Sequence, residues 1–338
     1  MIRAVLMEDY LDHARSLACV KELADRVDLH IHTGRATSEA EIVRRLEGAE
    51  VAITIRDRVR FPATVLAQLT TLRLLSVCGP RLAPHVDLAA ATRAGILVSR
   101  PEARDVPQII HQATAELVWS LILGLTRQTV ANQLAMREGG WQTRLGFTLA
   151  GKTLGVIGLG RVGALVARTG AAMGMRVVAW SPRLTPERAA SWGAEAVSFE
   201  QLLQGAHVVT LHANATEDSA DLIGRAEFAQ MRRGAYFVNT ARAALVDEQA
   251  LREALDSDAL AAAGLDVYWE EPLPPEHWLR KHPKVLLQPH MGGFTDEGYA
   301  WLLEPAVQNV MAYLDGVPKD VANPELLTAD RPASSAPE

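Results

Sequence analysis

The chain has 338 residues, enough for two domains with full cores, and its 49% hydrophobic and 22% charged content is that of an ordinary soluble protein. A formal net charge of −6 argues against a general nucleic-acid surface, which needs basic patches facing the phosphates. Two cysteines, Cys19 and Cys78, are too few for a disulfide framework, and no apolar run is read as long enough for a membrane span.

The first hundred residues alternate. Strand-like runs fall at 2–7, 28–32, 51–55, 72–77 and 96–98, and helical runs at 14–25, 39–46, 62–69 and 88–93. Such alternation predicts right-handed crossovers and a parallel sheet. The opening run stops at Glu8 and Asp9, too early for a signal peptide, so a cytoplasmic protein is expected. Two prolines and mixed charges break the pattern at 100–108, and a long apolar helix follows at 109–127. Polar sequence at 137–148 leads to a short buried strand ending at Ile157, and then Gly158-Leu159-Gly160-Arg161-Val162-Gly163 opens an apolar helix. Strand, G-x-G-x-x-G, helix is the order of a dinucleotide site. The first glycine makes the tight turn, the second lets the backbone approach a pyrophosphate, and the third lets helix and strand pack closely. The helix N-terminus offers N–H groups to the phosphates.

Further strands are expected at 154–157, 176–180, 207–211, 236–239, 264–266 and 285–288, six in all. A final helix at 297–314 has no strand after it and is free to fold back on the first domain. The expected layout is therefore discontinuous, with residues 1–101 and 295–325 forming a substrate domain and 102–294 a dinucleotide-binding domain. Residues 326–338, rich in Pro, Ala and Ser, are expected to form a loose tail.

Three segments stand at strand ends, where ligands of such sheets bind. They are Val238-Asn239-Thr240-Ala241-Arg242, Gly264-Leu265-Asp266-Val267-Tyr268-Trp269-Glu270-Glu271-Pro272 and Leu287-Gln288-Pro289-His290-Met291-Gly292-Gly293. One basic, one acidic and one imidazole group beside a nicotinamide suit hydride transfer to a 2-keto acid. A guanidinium can grip the carboxylate and polarise the carbonyl. An imidazolium can donate the proton, with a carboxylate on its other nitrogen fixing the tautomer.

Over nearly its whole length the chain resembles the D-isomer-specific 2-hydroxyacid dehydrogenases, through the glycine turn, an Arg after a strand end, a D-V-x-x-x-E-P segment and a P-H-x-G segment in that order. The resemblance implies a Rossmann cofactor domain inserted into a flavodoxin-like substrate domain, both doubly wound parallel sheets. It implies hydride exchange between NAD(P)H and a small 2-keto or D-2-hydroxy acid, glyoxylate- or hydroxypyruvate-like. Arg242 would bind substrate, Glu271 would partner the histidine, and His290 would be the acid/base. Asp266 would hold the nicotinamide amide, with His212, Thr240 and Gly292 also touching the cofactor. The loop Ser76-Val77-Cys78-Gly79-Pro80 would bind the substrate carboxylate through Val77, Cys78 and Gly79, and Arg56 after the third strand is a further candidate. A homodimer built through the region between the long helix and the glycine turn is implied too. A non-enzymatic NAD(H)-binding regulator on the same fold is the alternative.

The chain departs from the family pattern at Ala243, where Gly is usual, at Asn214, where a proline is usual, and after Gly79, where Arg81, Leu82 and Pro84 stand. NAD sites place an acid at the end of their second strand. Here Ser181 follows that strand and Arg183 comes two residues later, which favours NADP(H) over NAD(H). No metal is expected: His30 and His32 alternate on a strand without the neighbours of a zinc site. His111 on the long helix could approach the cleft, but packing is the reading preferred for it.

Overall fold

The computed structural model describes residues 1–56, 58–79, 82, 85–101 and 106–328. Pro80, Arg81, Pro84 and residues 329–338 of the expected tail lie outside them. The chain divides into two compact units at Asp105/Val106 and Thr295/Asp296, so the first unit draws on both ends of the chain. The sequence reading put these points at 101/102 and 294/295.

The first unit holds strands β1 (Arg3–Met7), β2 (Asp28–Ile31), β3 (Val51–Ile55), β4 (Leu74–Cys78) and β5 (Leu97–Ser99). They run in the order β2-β1-β3-β4-β5, every neighbouring pair parallel, which is the flavodoxin-like order. β3 and β4 are buried along their whole length, as strands covered on both faces must be. One face packs a core that includes Val5, Met7, Ala52, Leu75 and Val77. The last long helix, Asp296–Leu314, and Asp315 just after it are bonded to the rest of this unit. Ser76 Oγ donates to the Ala306 carbonyl at 2.8 Å, the Tyr299 hydroxyl donates to Asp9 at 2.5 Å, and Arg26 pairs with Asp315 at 2.7 Å.

Two expectations for this unit need correction. The helix expected at 14–25 is split: a 3-10 turn, Ala14–Ser16, is followed by an extended Leu17 and then the helix Ala18–Ala24. Buried Asp9 accepts from the Ala14 N–H at 2.8 Å and so fixes that separate turn. The expected loose tail begins too early, because Glu325–Thr328 is a helical turn. Buried Asn323 anchors it, accepting from the Val98 N–H at 2.8 Å and donating to the Ile96 carbonyl at 2.9 Å.

The second unit holds β6 (Thr153–Ile157), β7 (Arg176–Trp180), β8 (Glu195–Ala196), β9 (Val208–Leu211), β10 (Ala235–Asn239), β11 (Leu260–Leu265) and β12 (Val285–Leu287). Their order is β12-β11-β10-β9-β6-β7-β8, all parallel, with the topological switch between β6 and β9. There are seven strands where six were expected; the extra one, β8, has two residues and so carries no hydrophobic period.

The long helix, Gln108–Thr126, is after all long and apolar enough for a bilayer by length and composition. Its apolar face is spent inside the unit instead: Val118, Trp119, Leu121, Ile122 and Leu125 are buried with Leu154, Val156 and Val177 of β6 and β7. A second helix, Thr129–Arg137, falls where the reading had no element. It buries no residue, so it had no apolar stripe to reveal it.

Candidate active site

The three glycines of the turn do three separate jobs. Gly158 has φ 94°, and a Cβ there would lie 2.6 Å from the Ala213 nitrogen of the strand-end segment after β9. A Cβ at Gly163 would lie 2.2 Å from the Gly158 carbonyl oxygen, so the helix Arg161–Ala172 can press on β6 only without a side chain at that position. Gly160 differs, because a Cβ there would meet no protein atom within 4 Å. The protein's own packing does not require that glycine. Gly160 also caps the helix without any side-chain bond, and Arg161 and Val162 open its first turn. Leu159 is held by its N–H, which donates to Ser181 Oγ at 2.8 Å. Arg183 is exposed. The cation that reaches the turn is Arg188, which sequence reading missed; its Nη2 donates to the Leu159 carbonyl at 3.4 Å.

At the neighbouring strand ends, half-buried His212 lies 2.9 Å from the Thr210 hydroxyl, and burial pushes its ring down to about 4, so it is neutral at pH 7. Asn239 shapes the turn after β10: its Oδ1 accepts from the Ala241 N–H at 2.9 Å and its Nδ2 donates to the Arg242 carbonyl at 3.0 Å. Arg242 leaves that turn in extended backbone and donates to the Ala241 carbonyl at 2.6 Å. Ala243 is buried behind it, and Thr240 Oγ1 is buried with no hydrogen-bond partner.

The imidazole and the acid meet directly. His290 Nδ1 is 2.6 Å from Glu271 Oε2, and Glu271 Oε1 accepts from the Tyr268 N–H at 2.9 Å. The Tyr268 hydroxyl donates to the Gln288 carbonyl at 2.7 Å, tying the two loops together. His290 sits in left-handed backbone, φ 59°, a conformation that costs a non-glycine residue about 1–3 kcal/mol unless its surroundings hold it. Asp266 is what holds it. Its carboxylate, 1% exposed, accepts from the Met291 N–H at 2.6 Å and the Gly292 N–H at 2.9 Å. Burial, the dominant cause, pushes Asp266 up to about 6 even though both N–H bonds and His290 favour its charged form. The family resemblance implies that Asp266 holds a cofactor amide; its oxygens also take the two N–H groups of the histidine loop. Thr114 on the long helix adds a bond to the Gly292 carbonyl at 2.9 Å, a contact with no local sequence signal.

In the first unit, considered by itself, adjacent strands β1, β3 and β4 all end in left-handed residues: Glu8 (φ 61°), Arg56 (φ 54°) and Gly79 (φ 114°). Val77 and Cys78, expected in a binding loop, belong to β4 and are buried; Gly79 is the described residue that leaves the strand. The Arg56 N–H donates to the Cys78 carbonyl at 3.1 Å. Glu8, 1% exposed, takes bonds from the Ala36 N–H at 2.7 Å and from the Tyr10 hydroxyl. Arg58 donates to the Glu8 carbonyl at 2.7 Å and lies over the Tyr10 ring at 4.4 Å.

Residues 119–292 match the sequence model of the D-isomer specific 2-hydroxyacid dehydrogenase, NAD binding domain. A glyoxylate reductase of Aeropyrum pernix is 36% identical over 283 residues, covering 81% of this chain and 83% of the relative. The chain belongs to the D-isomer specific 2-hydroxyacid dehydrogenase family. A D-3-phosphoglycerate dehydrogenase of Archaeoglobus fulgidus is 33% identical over 300 residues; those are 88% of this chain but 54% of that longer protein. Among solved structures, phosphoglycerate oxidoreductase from Vibrio cholerae O395 superposes with a TM-score of 0.83 at 28% identity, covering 94% of this chain and all of its own.

The second unit of this family member fits a nicotinamide dinucleotide on its own evidence. The glycine turn leaves room at Gly160 that no protein atom uses, and Thr240 Oγ1 is a buried hydroxyl with no bond in the protein. Gly158 to Gly163 with Ser181 and Thr240 would hold the dinucleotide.

Proposed function

We propose that this chain reduces a small 2-keto acid to the D-2-hydroxy acid, and runs the reverse oxidation, with His290 as the acid/base. The observation that carries this reading is the 2.6 Å pair between His290 Nδ1 and Glu271, on a loop pinned by Asp266. With Nδ1 engaged, Nε2 is the nitrogen left to work on a substrate oxygen. A reduced nicotinamide held at Gly158 to Gly163 would supply the hydride that the keto carbon needs. His290 gives its proton to the keto oxygen, so the C=O becomes CH–OH and the ring is left neutral. Glu271 steadies the ring before and after. Arg242, presented by the Asn239 turn, grips the carboxylate as a planar fork. The relatives, a glyoxylate reductase and a D-3-phosphoglycerate dehydrogenase, support an acid of this size.

NADP(H) is the cofactor we assign. No carboxylate ends β7, Ser181 keeps a hydroxyl proton to donate while it accepts from Leu159, and Arg188 and Arg183 offer cations to a 2′-phosphate. A second copy of this chain is the assigned partner. Trp141 is 74% and Leu145 97% exposed, and Leu134 and Met136 on the preceding helix are exposed too, apolar surface that a second copy would cover.

The test is the decay of cofactor absorbance with glyoxylate, hydroxypyruvate and phenylpyruvate, using NADH and NADPH in turn. Steady oxidation, faster with NADPH, is the expected result. Tight cofactor binding without turnover on the whole panel would make the chain a nucleotide-binding regulator instead.

A further inference from the structure

The long helix begins against the catalytic loop. Thr114 Oγ1 bonds the Gly292 carbonyl at 2.9 Å, and Ile110 Cγ2 lies 3.5 Å from where a Cβ on Gly293 would sit. His111 lies one residue after Ile110 and one turn before Thr114, so it shares this end of the helix. Its Nε2 is buried and has no hydrogen-bond partner. Leaving a buried polar group unmatched is unfavourable, and an apolar side chain at the same place would avoid that cost. Arg161, the first residue of the glycine helix, is near enough that its charge, after burial, disfavours the protonated ring. The long helix runs along the glycine helix, Trp119 lying 3.5 Å from where a Cβ on Gly170 would sit, and these paired helices carry a buried unbonded imidazole nitrogen, the Arg161 guanidinium and a helix N-terminus with no side-chain cap. All three suit an anion.

We propose that His111 is a further cofactor-binding residue, its Nε2–H donating a hydrogen bond to the diphosphate of the bound dinucleotide beside Arg161. The assignment rests on the dinucleotide reading of the glycine turn. His111 touches no reacting atom in this scheme, so it is a binding residue and not a catalytic one.

Calorimetric titration of the full chain with ADP-ribose and its 2′-phosphate tests this without turnover, and adenosine serves as the ligand lacking a diphosphate. His111→Leu is expected to weaken the better-bound ADP-ribose form about tenfold and to leave adenosine unchanged. His111→Gln, whose amide nitrogen stands close to the Nε2 position, is expected to recover affinity to within about threefold of wild type. Unchanged ADP-ribose affinity in His111→Leu would overturn the proposal. Equal weakening of ADP-ribose and adenosine would also overturn it, since a merely structural role predicts that result. If the wild-type chain bound neither ADP-ribose form, the dinucleotide reading itself would fall, and this inference with it.

Discussion

Two doubly wound parallel sheets in one chain finish their strands in opposite ways. The seven-stranded sheet ends β6 in backbone: glycines that let main chain and helix N-terminus come close, with little side chain in the way. The five-stranded sheet ends β1 in side chains, with buried Glu8 and Asp9 bonded to their own neighbours and the Arg58 guanidinium on the Glu8 carbonyl. Architecture alone therefore does not set what a sheet edge can recognise. Bare backbone N–H groups suit the repeated phosphates of a nucleotide, whereas fixed charges suit one small acid.

The contrast can be broken experimentally, and the largest effect is expected at the histidine. His290→Asn should lower kcat by about 10²–10⁴-fold while cofactor affinity stays within about threefold, because the ring acts on the substrate oxygen. Near wild-type kcat would remove His290 from the chemistry. Next come the glycines. Gly160→Ala should leave the melting temperature unchanged yet weaken cofactor binding about tenfold or more, since its Cβ meets no protein atom within 4 Å. Gly163→Ala, aimed at a carbonyl 2.2 Å away, should destabilise the fold by about 1–3 kcal/mol. Equal thermal losses in both would show that Gly160 serves packing after all. In the other sheet, Tyr299→Phe removes one bond from buried Asp9 and should cost about 1–3 kcal/mol by denaturant unfolding, with no change in cofactor affinity. The smallest effect is a pH slope. Asp266 is pushed up to about 6 by burial, so between about pH 4 and 6 the folded chain binds more protons than the unfolded one. Its contribution to stability is full below the unfolded value and is lost as pH rises through about 6. A carboxyl carbon signal for Asp266 titrating near pH 4 in NMR would contradict this.

What the sequence disclosed follows the same division. The glycine turn and the three strand-end segments were legible because each sits directly after an apolar strand and its residue types have few other uses. β8 was not, since two residues carry no period, and the helix Thr129–Arg137 was not, since it buries nothing. The roles of Glu8 and Asp9 were hidden for another reason. Asp9 finds its partner in Tyr299, 290 residues away, and no local pattern announces such a bond. Arg188 carries no local signal either, since only the helix Pro186–Ala190 turns it back toward Leu159. The bonds of Asp266 to the histidine loop were hidden as well, since its two backbone donors lie 25 and 26 residues on.

The bonds of Ser76, Asp9 and Val98 to Ala306, Tyr299 and Asn323 also bear on synthesis. A ribosome has made every strand of the five-stranded sheet by Ser99, yet the helix bonded to that sheet is complete only at Leu314. Through that interval the seven-stranded unit is finished, from Val106 to Thr295. The nascent first unit therefore waits with part of its apolar surface uncovered while its younger neighbour is already whole, so a ribosome stalled between those points presents sticky surface from the amino-terminal part of its product.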